Sequence, residues 1–209
     1  MGNRAIITTR ENFENNGIGV YVHWNGGYDS VQAFLKYCEL KGYRSPETDS
    51  YGWARLCQVI GNFFGGTLSV GIDNFDKDAG EYQDNGTYII KDWKIVGREC
   101  YNYEEQINYD LDGMLLAIDL SMPETERLGD FLTAKEIPVS DLMIGDEVYM
   151  LTVLDKYKKF VVIGFGDESM VNGRTFNGVP YVNMYGDDEK GYSWNVNNYI
   201  TTKTVRVCR

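Results

Sequence analysis

The chain has 209 residues, 43% of them apolar and 14% aromatic, which suits one sizeable core or two small domains and excludes a disordered chain. Thirty-one acids against twenty bases leave a net charge of −11, and a field of that sign repels nucleic-acid phosphates and attracts basic surfaces. No apolar run approaches the roughly 18 residues of a membrane span. Four scattered cysteines and one histidine make no zinc set.

The acid excess is uneven: residues 1–132 hold 21 acids and 11 bases, whereas residues 133–209 hold 10 and 9. The start, MGNRAIITTREN, has neither a secretory signal pattern nor, with Ile6 at the sixth position, the N-myristoylation pattern. A soluble protein of a reducing cytoplasm is expected, with no metal or cofactor.

In chain order, AIITT (5–9) and IGVYVHW (18–24) predict two strands of an antiparallel hairpin joined by the polar RENFENNG. Val31, Phe34, Leu35 and Cys38 recur at helical spacing over 30–41, with Asp29 as the expected N-cap, Gln32 as its box partner and Gly42 as the stop. A second helix follows RSPETDS, its apolar face formed by Trp53, Leu56, Cys57, Ile60, Phe63 and Phe64, with Gly65-Gly66 at its end. Cys38 and Cys57 fall on these apolar faces, as buried thiols do. TLSVGID (67–73) predicts a strand, and GTYII (86–90) with WKIVGRE (93–99) a second hairpin around Lys91-Asp92.

This order, β-β-α-α-β-β-β, predicts an α+β domain over 1–108, an N-terminal antiparallel sheet with two helices on one face. Leu111, Leu115 and Ile118 predict a helix within a connector spanning 109–132, and PETERLGDFL a further short helix or linker. From Ala134 the texture changes to short alternating strands around the SDLMIGDEV turn, which predicts a small all-β domain over 133–209, an SH3-like or OB-like barrel.

Four features could carry chemistry. Asn25-Gly26-Gly27-Tyr28-Asp29-Ser30, between a strand and a helix, resembles the S-G-G-x-D-S loop of the PP-loop ATP pyrophosphatases. That resemblance, over about fifteen residues, implies backbone N–H groups and a helix N-terminus gripping pyrophosphate. The alternative is a tight turn whose glycines and Asp29 serve only the strand-to-helix corner. The preceding His23 and Trp24 complete this candidate ligand loop. By strand alternation Val20, Val22 and Trp24 share one face and Tyr21 and His23 the other, and Ser30 is the near nucleophile for His23. The acids Asp73, Asp76, Asp78, Glu81 and Asp84 miss the EF-hand register, because Phe75 falls at the third ligand position. With Glu104, Glu105, Asp110 and Asp112 they form a candidate acidic interface. The tyrosines and tryptophan at Tyr101, Tyr103, Tyr181, Tyr185, Tyr192, Trp194 and Tyr199 are either interface residues or barrel packing.

Taken together, GNRAIITT, YVHWNGGYDSVQAFLKYCELKGYR, YGWARLCQVIGNFFGG and DNGTYIIKDWKIVGRE resemble a family of small, mostly uncharacterised proteins encoded by phages and mobile elements of Gram-positive bacteria. The resemblance spans most of residues 2–99 and implies no catalytic residues. It implies a context in which accessory genes encode inhibitors of host defences. The expected activity is non-enzymatic binding to a host protein with a basic nucleic-acid-binding surface, such as a CRISPR effector nuclease or a restriction enzyme. The 15 acids and 5 bases of residues 73–130 would stand in for phosphates, without direct nucleic-acid or membrane binding. The alternatives are a nucleotide hydrolase or signalling-nucleotide sponge built on the NGGYDS loop, and an assembly protein of the element.

Overall fold

The computed structural model describes residues 2–9, 17–66, 68–76, 78–105, 110–151, 157–166, 170–171, 174–175, 177–187 and 193–208. Residues 10–16 of the first predicted hairpin connection, Thr67, and residue 109 of the predicted connector lie outside them. The chain is α+β and divides into two compact units, Met1–Arg127 and Leu128–Arg209.

In the first unit β1 (Ala5–Thr9), β2 (Ile18–Val22), α1 (Tyr28–Leu40), α2 (Ser50–Phe63), β3 (Val70–Asn74), β4 (Thr87–Lys91) and β5 (Lys94–Glu99) follow the predicted order. The strands pair as β3-β2-β1-β4-β5. Sequence alternation predicted an antiparallel sheet, but β1 and β4 run parallel, with Ile7 beside Tyr88. Two hairpins separated by two helices bring their inner strands together in the same direction, so the sheet is mixed.

β1 is buried throughout, because both faces of the sheet centre are covered. Ala5, Ile7, Val20 and Tyr88 lie on the face that receives the start of α1, where the Tyr88 hydroxyl donates to the Gly26 carbonyl at 2.9 Å. On the other face Phe75 packs over Gly19 and Ile6, and Gly80 lies against Thr87 and Cys100. The acidic segment after β3 is thus the lid of the sheet on the side away from the helices.

Both predicted helix stops hold. Gly42 and Gly65 take left-handed φ values of 71° and 69°, and each helix closes with the paired backbone bonds of a Schellman motif, Tyr43 N–H to Cys38 O and Gly66 N–H to Gly61 O. Asp49 caps α2, its carboxylate accepting from Tyr51 N–H at 2.8 Å. Phe34 meets Phe63 edge-on at 5.3 Å and the tilted ring of Phe64 at 6.4 Å between centroids. Cys38 is fully buried, and burial raises its thiol pKa far above the ordinary range. Cys57 is half-buried and pushed up to about 11 by the same cause.

The helix expected in the connector, α3 (Leu111–Ser121), instead packs inside the first unit. Met114, Leu115, Ile118 and Met122 are buried, Asn62 of α2 donates to the Met122 sulfur, and the Tyr37 hydroxyl of α1 donates to Asp119 at 2.6 Å. Asp119 is only 2% exposed, so this bond joins α1 to α3 within a buried contact. PETERLGDFL forms two 3-10 turns, Glu124–Glu126 and Gly129–Phe131.

The second unit contains β6 (Lys135–Pro138), β7 (Glu147–Leu151), β8 (Tyr157–Phe165), a small β9 (Met170–Val171) and β10 (Arg174–Thr175) pair, β11 (Pro180–Asp187), β12 (Ser193–Tyr199) and β13 (Thr204–Cys208). Six of these strands pair antiparallel in the order β12-β11-β8-β7-β13-β6. Among the described residues no further pairing closes that order into a barrel. Leu142, Val148, Val162, Val182, Ile200, Val205 and Val207 form its core. Phe131 stacks on Tyr157 at 4.3 Å between centroids, and the Arg206 guanidinium lies 4.8 Å from the Phe131 ring.

Candidate functional site

The NGGYDS segment begins where β2 leaves the sheet. His23 N–H still bonds Ser69 O, and Asn3 N–H bonds His23 O, so the strand register persists through His23. Val20 and Val22 are buried and Tyr21 and His23 half-buried, as alternation predicts, but Trp24 is 44% exposed and no longer follows the strand face. Asn25 takes a left-handed φ of 52°, which turns the chain towards the helix. Gly26 N–H then donates to Asn3 O at 2.8 Å, and Gly26 O accepts from Tyr88. Both polar groups of Gly26 are used to stitch the turn onto the sheet.

The helix starts at Tyr28, so its N-cap is Gly27, in an extended conformation with φ −64° and ψ 158°. The expected Asp29 cap and its box with Gln32 are therefore corrected. Asp29 sits in the first turn, 7% exposed, and accepts from Ser30 N–H at 2.7 Å. Asn25 Nδ2 lies 3.3 Å from Ser30 Oγ. A carboxylate already occupies the positive end of the helix dipole, where a phosphate would have to sit. The β1–β2–β3 ribbon from which the segment leaves is antiparallel. The segment has the parts of a corner.

His23 is placed apart from Ser30's partners. Its Nδ1 is 2.7 Å from the Tyr21 hydroxyl, and its ring meets Trp24 edge-on at 4.9 Å. Asp29→Ala is expected to lower stability by about 1–2 kcal/mol, the loss of a buried, dipole-aligned acceptor, without altering partner binding. Chemical denaturation of the full chain checks the first part and a binding titration the second.

The nine acids singled out in the sequence fall into three groups. Asp84 is tied to Arg4, whose Nε and Nη2 reach its two oxygens at 2.9 and 3.1 Å, and this pair holds the Asp84 carboxyl below its ordinary range. Glu105 is paired with Arg98, a guanidinium packed between the rings of Tyr101 and Tyr88 at 3.4 and 4.5 Å. These two acids brace the fold. Asp110 caps α3, accepting from Gly113 N–H at 2.9 Å, with Asp112 exposed in the next turn. Glu104 is exposed on the segment after β5.

Asp73, exposed in β3, and Asp76, Asp78 and Glu81, exposed on the segment that covers the sheet, are the third group. Asp73 accepts from Asn74 N–H and Asp76 from Asp78 N–H, which shapes the segment locally. A residue that sequence reasoning missed joins them. Thr87 pairs with Glu99 in the β4–β5 hairpin, and this register carries Glu99 to the 3-10 turn Ala79–Tyr82. A side chain at Gly80 of that turn would meet Thr87 Oγ1 and Cys100 Cβ, and desolvation first, then the charges of Glu81, Glu99 and Asp78, raise the pKa of the Cys100 thiol. Among the described residues no three His, Cys, Asp or Glu side chains are grouped to hold a metal ion.

Of the aromatic residues, Tyr103 is exposed and meets Tyr101 edge-on. Tyr181 and Tyr199 face each other across β11 and β12 at 5.4 Å. Tyr185 and Trp194 lie in those strands, while Tyr192 is outside the described residues. Among the described residues no helix is long and apolar enough to cross a membrane. No protein-family model, curated protein or solved structure matches the chain.

Proposed function

We propose that the protein is a non-enzymatic accessory protein of a phage or mobile element that binds and inhibits a host defence machine, of the anti-CRISPR or anti-restriction kind. It acts in the cytoplasm of the bacterial host, and its partner is a protein with a basic nucleic-acid-binding surface. The observation that carries this reading is the run of exposed carboxylates Asp76, Asp78 and Glu81 on a segment anchored to the sheet by Phe75 and Gly80, with the exposed Glu99 at the end of β5. Carboxylates on a packed lid keep their spacing, and pre-placed charge competes for an electropositive cleft at lower entropic cost than a loose acidic tail. Asp73 extends the patch along β3, and Glu104 lies on the segment following β5. In this reading the second unit is a small SH3-like or OB-like barrel that adds a second contact module.

The test is inhibition of DNA cleavage by a purified CRISPR effector nuclease and a purified restriction endonuclease, with binding followed across salt. Affinity is expected to fall steeply between about 0.1 and 0.5 M salt, as the Debye length contracts from roughly 10 Å to about 4 Å. Tight binding that is indifferent to salt would sink the phosphate-mimic mechanism.

A further inference from the structure

The helix side of the first sheet is not closed everywhere. Between α1 and the β4–β5 hairpin a cavity of about 330 Å³ opens to the surface. Its apolar walls are Tyr28 and Leu35 of α1, Trp93 and Ile95 of the hairpin, and Leu111, the first residue of α3. Gln32, Lys36 and Glu39 of α1 and Lys94 of β5 supply its polar groups. An apolar concavity with a few convergent polar groups has the make-up of a small-molecule site, and this volume lies at the lower end of the usual range.

The Trp93 wall is built against the preference of its own backbone. Asp92 and Trp93 take φ values of 48° and 59°, the left-handed pair of a two-residue hairpin turn that Asn-Gly fills at least cost. The strain is held from outside the hairpin. Glu47 accepts from Asp92 N–H, and the Trp93 indole N–H donates to Tyr43 O at 2.6 Å. Trp93 is only 5% exposed, so surroundings that over-determine the turn also fix the indole as a wall.

Charge at the mouth gives the sign of the occupant. Lys36 is held by Glu39 at 2.6 Å. Lys94 stands directly opposite Lys91 across the hairpin, and among the described residues neither has an ion-pair partner. Like charges placed directly opposite repel, and one anion beside Lys94 relieves that repulsion. Asp92 in the turn, and Asp110 and Asp112 beside Leu111, flank the mouth without lining it. Asp110 is committed to Gly113 N–H. With these acids close by, the mouth suits a single negative charge and disfavours a chain of phosphates.

We propose that this cavity binds a small monocarboxylate with an apolar body, its head at Lys94 and Gln32 and its body against Leu35, Trp93 and Leu111. The Lys94 ammonium and the Gln32 amide are the donors that meet the head. The cavity is on the helix side of the sheet and the acidic lid on the other, so this site does not depend on the inhibitory role proposed for Asp76, Asp78 and Glu81.

The full chain is titrated calorimetrically at low salt with octanoate, a flexible monocarboxylate that makes little demand on cavity shape, and with octanamide, its neutral counterpart. Octanoate is expected to bind with a dissociation constant on the order of 0.1–1 mM, and octanamide about fivefold more weakly, the margin of a partly exposed ion pair. Lys94→Gln is expected to bring octanoate to the octanamide value while leaving octanamide unchanged. Leu111→Glu, at the exposed first position of α3, is expected to weaken octanoate at least about tenfold in a chain that melts normally. Leu116→Glu, at a 49% exposed position of α3 that does not line the cavity, is expected to change neither affinity. Absence of octanoate binding, equal affinity for the two probes, or octanoate binding indifferent to Lys94→Gln overturns the proposal. Loss of binding in Leu116→Glu but not in Leu111→Glu overturns it too.

Discussion

A chain carrying Asp76→Asn, Asp78→Asn, Glu81→Gln and Glu99→Gln is expected to lose inhibition of the host nuclease by about 100-fold or more, because interface charges set association rate and partner choice together. All four side chains are exposed, so the amides replace them without a change of packing. An asparagine at 76 can still accept from the N–H of residue 78, the bond that Asp76 makes at 3.0 Å. Asp84 and Glu105 are left alone, since their partners Arg4 and Arg98 are part of the fold. Melting temperature should be unchanged or slightly raised, because like charges are removed from one patch. Full inhibition by this variant, in a chain that melts normally, would remove the acidic lid from the mechanism.

Gly26→Ala is expected to cost about 3 kcal/mol, at the upper end for forced overpacking. A methyl group there would lie 2.6 Å from Asn3 O and 2.9 Å from both the Cβ and the backbone nitrogen of Ala5. Most of those atoms are backbone of the central strand's leading end, and Gly26 itself is bonded to Asn3 and Tyr88, so neither side can give way. For a unit of this size the loss lowers the melting temperature by roughly 10 °C. Gly27→Ala is the internal control. Its added carbon would meet Asp29 Oδ1 at 3.2 Å, at an ordinary φ of −64°, and should cost less than about 1 kcal/mol. A phosphate loop would need both glycines for ligand approach. Equal and large losses of function at both positions, with stability intact, would restore the nucleotide reading of the loop.

The contrast between these two glycines measures what local sequence can say. The dipeptide announces a tight strand-to-helix turn, and one is there. Which glycine is irreplaceable depends on Asn3 and Ala5, more than twenty residues earlier, and no local pattern encodes that distance. Asp29 makes the same point. A short acid before an apolar helical repeat predicts a cap, yet the helix starts two residues earlier than expected, at Tyr28, and the carboxylate turns to Ser30 N–H instead.

The acidic interface was legible as composition and not as a surface. Nine acids in the sequence look equivalent, but Arg4 is 80 positions from Asp84, and only the fold pairs them. Glu99 passed unnoticed because hairpin register, not spacing along the chain, carries it to the turn at 79–82.

By itself the sequence determined the α+β class, the order of elements in the first unit, the faces of α1 and α2 and the glycines that end them, and the all-β texture after Ala134. These are consequences of side-chain periodicity and of the left-handed turn at a helix end, both settled within a few residues. Tertiary structure alone decided that β1 and β4 pair in parallel, that α3 belongs to the first unit, and that some acids brace the fold while others remain exposed. A strand covered on both faces has no alternation to reveal its neighbours. A helix apolar all round carries no record of which side meets its own chain. A carboxylate's role is fixed by whichever cation folding brings to it.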